Sequence, residues 1–202
     1  MKFPYAISDF RKLITKNYFY CDRTDRISGL EERGDYLLFI RPRRFGKSLL
    51  LSTLENYYDV ARKDQFQEIF GHLKIGKNPT PLHNSYFILK WDFSCVDPLG
   101  NAQKIKQALH NHVNSRIKEF MMYYRDILPR EIEVDPDDAV SSLSSLLTVA
   151  RMASLQVYLL IDEYDNFANE VMMGVRRDKD GIYESLVYEE GPLRTLFKAV
   201  KS

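Results

Sequence analysis

Cysteine is nearly absent from this chain, and its two copies, Cys21 and Cys95, form no Cys-x-x-Cys pair. That excludes a zinc site or a disulfide framework as the organising element, and both thiols are expected to be small buried residues. No apolar run approaches ~18 residues, the length a membrane helix needs. The N-terminus, Met1-Lys2-Phe3-Pro4-Tyr5, lacks the apolar core of a signal peptide, so a cytoplasmic protein is expected. Charge bias is missing as well: 29 Lys+Arg stand against 28 Asp+Glu, a formal charge of +1, which argues against a nucleic-acid-coating protein. Internal repeats and low-complexity tracts are absent. What remains is 202 residues, 45% of them hydrophobic, enough for one ordinary domain with a core and too short for two of typical size.

Periodicity divides the chain into alternating helices and apolar runs. Ser8 is expected to cap a short helix through Phe10, Leu13 and Ile14, followed by an extended aromatic stretch, Tyr18-Phe19-Tyr20-Cys21. Ile27 and Leu30 mark another helix before the Gly34-Asp35 break. Tyr36-Leu37-Leu38-Phe39-Ile40 has the all-apolar composition of a buried strand. Phe66, Ile69 and Phe70 continue a helical pattern up to Gly71, and Gly76 through Pro81 reads as a surface loop. A second strand covers Tyr86 to Leu89 and runs on through Trp91-Asp92. Ile105, Leu109, Val113, Ile117 and Phe120 then repeat at the spacing of a long amphipathic helix. Glu131 to Asp138 reads as a solvated connection, and a further helix passes through Leu143, Leu146, Leu147 and Val149. Val157-Tyr158-Leu159-Leu160-Ile161 is the strongest strand. Apolar runs separated by helices predict an α/β fold with a mostly parallel sheet covered on both faces.

The segment Arg41-Pro42-Arg43-Arg44-Phe45-Gly46-Lys47-Ser48 lies between the first apolar run and a helix carrying Leu50, Leu51, Leu54, Tyr57 and Tyr58. Strand, tight turn and helix in that order describe a phosphate-binding loop, whose main-chain N–H groups and first helical turn present partial positive charge. Lys47 would reach the terminal phosphates and Ser48 would supply a hydroxyl to Mg²⁺. Arg43, Arg44, Phe45, Gly46 and Leu49 complete the candidate nucleotide-binding set. Arg43 and Arg44 could contact phosphate oxygens or project to solvent. The usual pattern, G-x-x-x-x-G-K-[ST], has glycine where this chain has Arg41, and Pro42 follows it without an N–H.

Such a loop needs a carboxylate at the end of a neighbouring strand to hold the magnesium, usually through water. Asp162 stands at that place, closing the strongest strand. The adjacent Glu163 is positioned in sequence to polarise the attacking water, so Glu163 and Lys47 are the candidate catalytic residues and Ser48 and Asp162 the candidate metal ligands. Asp165 is expected to be a helix cap. Asp92 ends the intervening strand, where a structural hydrogen bond is its expected role. His110 and His112, two apart on a helix, would point to different faces.

Four strings together resemble one family. They are Ser8 to Leu13 with Tyr20-Cys21-Asp22-Arg23-Thr24 shortly after; Arg41 to Ser48; Leu89-Lys90-Trp91-Asp92-Phe93-Ser94; and Leu160-Ile161-Asp162-Glu163-Tyr164-Asp165. In this order they resemble the AAA-ATPase-like family of bacterial and archaeal P-loop proteins, often linked to a C-terminal restriction-endonuclease-like nuclease domain. Arg23 departs from the lysine more usual in the family's Asp-Lys-Thr motif, and the motif itself has no assigned role. The resemblance implies a P-loop NTPase fold, three-layer α/β/α, with ATP and Mg²⁺ as cofactors. It implies residues 1–34 as a family-specific N-terminal extension and 35–202 as an incomplete nucleotide-binding core, truncated before the sensor strand. Mg-dependent ATP hydrolysis is the implied activity, weak in this form. The alternative is a nucleotide-binding or inactive truncated module acting through a partner without significant hydrolysis. Partners beyond the nucleotide would be further copies of the chain or a downstream nuclease-like domain; neither a membrane nor direct nucleic-acid binding is indicated.

Overall fold

A computed structural model describes residues 2–40, 42, 44–98, 101–165, 167–169, 196 and 198. They divide into two units, Met1–Ile88 and Leu89–Ser202.

In the first unit an aromatic core is assembled from short helices. Helix α1 (Phe10–Thr15) buries Phe10, Leu13 and Ile14, the three and four spacing that puts them on one face. Its cap is Asp9 rather than Ser8. The Asp9 side chain accepts from the Lys12 amide at 2.9 Å, satisfying one of the orphan donors of the first turn. A 3₁₀ turn at Thr24–Arg26 leads into α2 (Ile27–Glu31). Helix α3 (Lys47–Tyr58) buries Leu54, Tyr57 and Tyr58, and is followed by α4 (Phe66–Phe70) and α5 (Lys74–Lys77). The Phe70 ring lies 5.2 Å from Phe10 and 5.4 Å from Tyr57, so α1, α3 and α4 share one cluster. The Phe10 amide also donates to the Ser52 hydroxyl at 3.0 Å, a buried bond between α1 and α3.

Strand β1 (Tyr86–Asp92) begins at the close of the first unit, and its C-terminal half belongs to the second. Helices α6 (Ala102–Tyr123) and α7 (Ala139–Met152) then precede β2 (Gln156–Asp162). The strands pair in a small parallel sheet, for which two helices supply the long crossover that parallel pairing requires. Ile105, Leu109, Val113, Ile117 and Phe120 are all buried, as are Leu143, Leu146 and Val149 on α7. The connection between these helices is tied down: Asn114 donates to the Asp135 carbonyl at 2.7 Å, and the Ser142 hydroxyl accepts the Asp135 amide at 2.9 Å. Among the described residues, no helix is long and apolar enough to cross a membrane.

The α/β class holds, with several corrections in detail. Residues 36–40 carry no strand, and their side chains are exposed, Leu38 at 82% and Ile40 at 79%. An apolar run supplies side chains for burial, but a strand exists only where a neighbouring backbone completes its ladder. Among the described residues β2 pairs with β1 alone; it is half-buried and fully buries only Leu160. The stretch from Gly76 is not all loop, since Gly76 and Lys77 complete α5. Cys21 and Cys95 are both exposed, the reverse of the expectation for unpaired thiols.

Candidate functional site

Each half of the expected site is described within its own unit. In the first unit, the backbone before α3 turns through two left-handed residues, Arg44 at φ 67° and Gly46 at φ 79°. Gly46 is the N-cap of α3 and offers no side-chain cap. The Phe45 amide donates to the Pro42 carbonyl at 3.4 Å, and the first intrahelical bond runs from the Leu50 amide to the Gly46 carbonyl at 2.9 Å. The amides of Ser48 and Leu49 therefore precede the helical ladder and have no acceptor inside it. Left-handed residues interleaved in a turn make a concave arrangement of N–H groups suited to anions, and α3 is long enough to add its dipole. Arg44, Phe45 and Gly46 are exposed, whereas Lys47, Ser48 and Leu49 are half-buried. Arg41 and Arg43, and with them the phosphate contacts considered for Arg43, lie outside the described residues.

In the second unit, β2 ends in Asp162, whose carboxylate accepts from the Glu163 amide at 3.0 Å. Glu163 has φ 56°, a left-handed backbone that side chains with a β-carbon rarely adopt. Its carbonyl accepts from the Phe167 amide at 3.1 Å, so helical hydrogen bonding starts at Glu163. Asp165 is accordingly inside the first turn and is not the expected cap. Strain of this kind concentrates at functional positions, and here it falls on the candidate catalytic acid. No group of three or more His, Cys, Asp and Glu side chains able to hold a metal occurs among the described residues. A magnesium site built from one serine, one aspartate, phosphate oxygens and water would contain no such group.

The neighbouring β1 end behaves as expected for Asp92: its carboxylate accepts from the Ser94 amide at 3.0 Å and the Ser94 hydroxyl at 2.7 Å. The two histidines of α6 also separate. His110 hydrogen-bonds the Asp137 carbonyl at 2.8 Å, while the His112 ring lies 6.1 Å from Phe93. Burial pushes the His112 imidazole below its usual value and the Arg116 charge adds to this, against opposing carboxylates at Asp92 and Glu119.

Sequence reasoning left Asp22-Arg23-Thr24 without a role, and the structure supplies one. The Asp22 carboxylate accepts from the Thr24 amide (2.9 Å), the Thr24 hydroxyl (2.7 Å) and the Lys74 amide (2.8 Å). The Thr24 hydroxyl in turn accepts from the Ile75 amide at 3.2 Å. Helix α5 gains no side-chain cap from its own Leu73, so Asp22 and Thr24 cap it from a distant part of the chain. Partial burial pushes the Asp22 carboxyl up, but the hydrogen bonds from Thr24 and Lys74 outweigh it and hold the group below its usual value. The Asp-x-Thr spacing is the local signal for this turn; its partner helix is invisible in the motif.

A family model described as Predicted AAA-ATPase matches residues 4–202. A curated protein from Azotobacter chroococcum mcd 1, named "Uncharacterized protein in vnfD 5'region", is 41% identical over 58 residues, which is 28% of this chain and 11% of that protein. No solved structure matches.

Proposed function

The chain belongs to the AAA-ATPase-like family, and on that premise we propose that it binds ATP at the loop before α3 and hydrolyses it with Mg²⁺, on a P-loop core of three α/β/α layers. The observation that carries this reading is the left-handed backbone of Arg44 and Gly46 immediately ahead of a twelve-residue helix. Phosphate would lie against the amides of Ser48 and Leu49, where the anion replaces acceptors the helix cannot supply. The Lys47 ammonium would neutralise the β- and γ-phosphates, with Arg44 adding positive charge beside the loop. The donor set suits magnesium: the Ser48 hydroxyl and the Asp162 carboxylate are hard oxygens of the type the ion prefers. When bound, the ion would polarise the phosphate and offset the charge that develops on the leaving oxygen.

Glu163 would orient the attacking water and draw its proton as the oxygen approaches the γ-phosphorus. ADP then leaves with the electrons of the broken β–γ bridge bond. The left-handed backbone would hold the carboxylate before the helix instead of within it. The Asp162 carboxylate, fixed by the Glu163 amide, ties the two acids together. The chemistry is therefore positioning and charge neutralisation, with no covalent intermediate.

Calorimetry with Mg-ATP on cooperatively folded protein tests the binding step. Lys47→Ala should abolish the heat, and Glu163→Gln should keep it while lowering turnover on the order of a hundredfold. Folded wild-type protein giving no heat with ATP in millimolar excess would overturn the proposal.

A further inference from the structure

Within the first unit, the Asp22–Thr24 turn is joined to α3 as well as to α5. Tyr20, two residues before Asp22, is half-buried. Its ring meets Phe10 edge-on at 5.3 Å. Phe10 in turn donates its amide to the buried Ser52 hydroxyl, so α3 is held from the N-terminal segment. Thr53, next to Ser52, donates to the Leu49 carbonyl at 2.8 Å, reaching back into the first turn of α3. The other end of the segment is anchored where Asp22 and Thr24 take the Lys74 and Ile75 amides. Thr24 is 2% exposed, so its bond to the Ile75 amide is shielded from competing water, whereas the Asp22–Lys74 bond lies at the surface. Beyond it, α4 and α5 meet at a corner with no slack: a β-carbon on Gly76 would lie 1.9 Å from the Phe70 carbonyl oxygen.

We propose that Asp22 and Thr24 are positioning residues for the phosphate loop. By capping α5 they fix residues 20–24 as a strut, which seats the Tyr20 ring against Phe10 and, through the Phe10 amide on Ser52, holds α3 in register. The charged partners of this strut stay outside its core. Asp25 pairs with the Lys74 ammonium at 3.4 Å, and both groups are exposed. The inference deepens the nucleotide reading and rests on it for its functional part, because α3 carries Lys47 and Ser48.

The test uses the full chain with Thr24→Val, which keeps volume and removes the hydroxyl, and Thr24→Ser, which keeps the hydroxyl. Hydrogen exchange is followed at the Lys74 and Ile75 amides and at Leu50 and Leu51 of α3, alongside the KM for ATP. Loss of one hydrogen-bond acceptor should speed exchange at Ile75 roughly fivefold. Exchange at Leu50 and Leu51 should quicken too, and KM should rise several-fold while kcat changes little. Thr24→Ser should restore all three, and Tyr20→Ala, which removes the ring from Phe10, should reproduce the α3 effect without the α5 effect. Faster exchange confined to residues 74–78, with α3 and KM as in the wild type, would reduce the turn to a local cap and overturn the proposal. If the wild-type protein bound no ATP, the nucleotide reading would fall separately, while exchange at Leu50 and Leu51 would still decide the strut.

Discussion

Glu163 allows the strain at the candidate catalytic acid to be measured apart from its chemistry. Its φ of 56° places a β-carbon against its own carbonyl, at a cost of roughly 1–2 kcal/mol for an L-residue. Glu163→Ala keeps that cost and removes the carboxylate; Glu163→Gly removes both. At an ordinary helical position glycine is less stable than alanine by about 0.5–1 kcal/mol, because the unfolded chain gains freedom. Here the released strain opposes that loss, so the glycine variant should match the alanine variant or exceed it by up to about 1 kcal/mol. Main-chain bonds on either side, from the Glu163 amide to Asp162 and from the Phe167 amide to the Glu163 carbonyl, do not depend on the side chain. Urea unfolding followed by fluorescence suits the comparison, since the single tryptophan, Trp91, is fully buried and belongs to the same unit. Both variants should lose ATP turnover. A glycine variant less stable than alanine by about 1 kcal/mol would show that the backbone at Glu163 is unstrained and refute the reasoning.

Further measurements bear on other parts of the molecule. Gly46→Ala has open space around the new methyl group, so its cost should be the left-handed backbone alone, about 1 kcal/mol in denaturant unfolding. Gly76→Ala meets the Phe70 carbonyl and should cost ~3 kcal/mol or more by the same assay. Asp138 caps α7 by accepting the Val140 amide at 2.9 Å, and Asp138→Ala should lower stability by about 1 kcal/mol. Acidification should destabilise the protein in two separate windows. The His112 imidazole is held below its usual value of 6.5, so the unfolded chain takes up the proton first and stability falls as pH drops below 6.5. The Asp22 carboxyl is held below 3.8, so its contribution is present above that pH and is lost only under stronger acid. His112→Gln should abolish the first loss and spare the second, read as the pH dependence of thermal unfolding.

Helices with a long apolar stripe were legible because burial and spacing coincide, as along Ile105 to Phe120 on α6. The runs ending at Asp92 and Asp162 were legible as strands, since each found the other as a partner. Residues 36–40 have the same composition and no strand, because composition does not encode the presence of a neighbour. Local rules placed the α1 cap within one residue, and Ser8 and Asp9 are chemically equivalent candidates until a carboxylate is seen to reach Lys12. Helix α5 was illegible: it is four residues long, includes Gly76, and its caps come from elsewhere in the chain. For the site, residue types announced the loop and the paired acids. The left-handed backbone at Arg44 and Glu163 was hidden, because nothing in an arginine or glutamate forecasts positive φ.

A helix whose cap is borrowed cannot form early. Asp22 and Lys74 are 52 residues apart, and closing a loop of that length costs about 3.5 kcal/mol by the logarithmic chain-entropy rule before any bond is made. Four residues cannot nucleate on their own, so α5 should close late, after the Phe10–Tyr57–Phe70 cluster has drawn its neighbours together. A nascent chain would then hold Asp22 and Thr24 idle until residues 74 and 75 emerge, and variants there should speed unfolding far more than they slow folding.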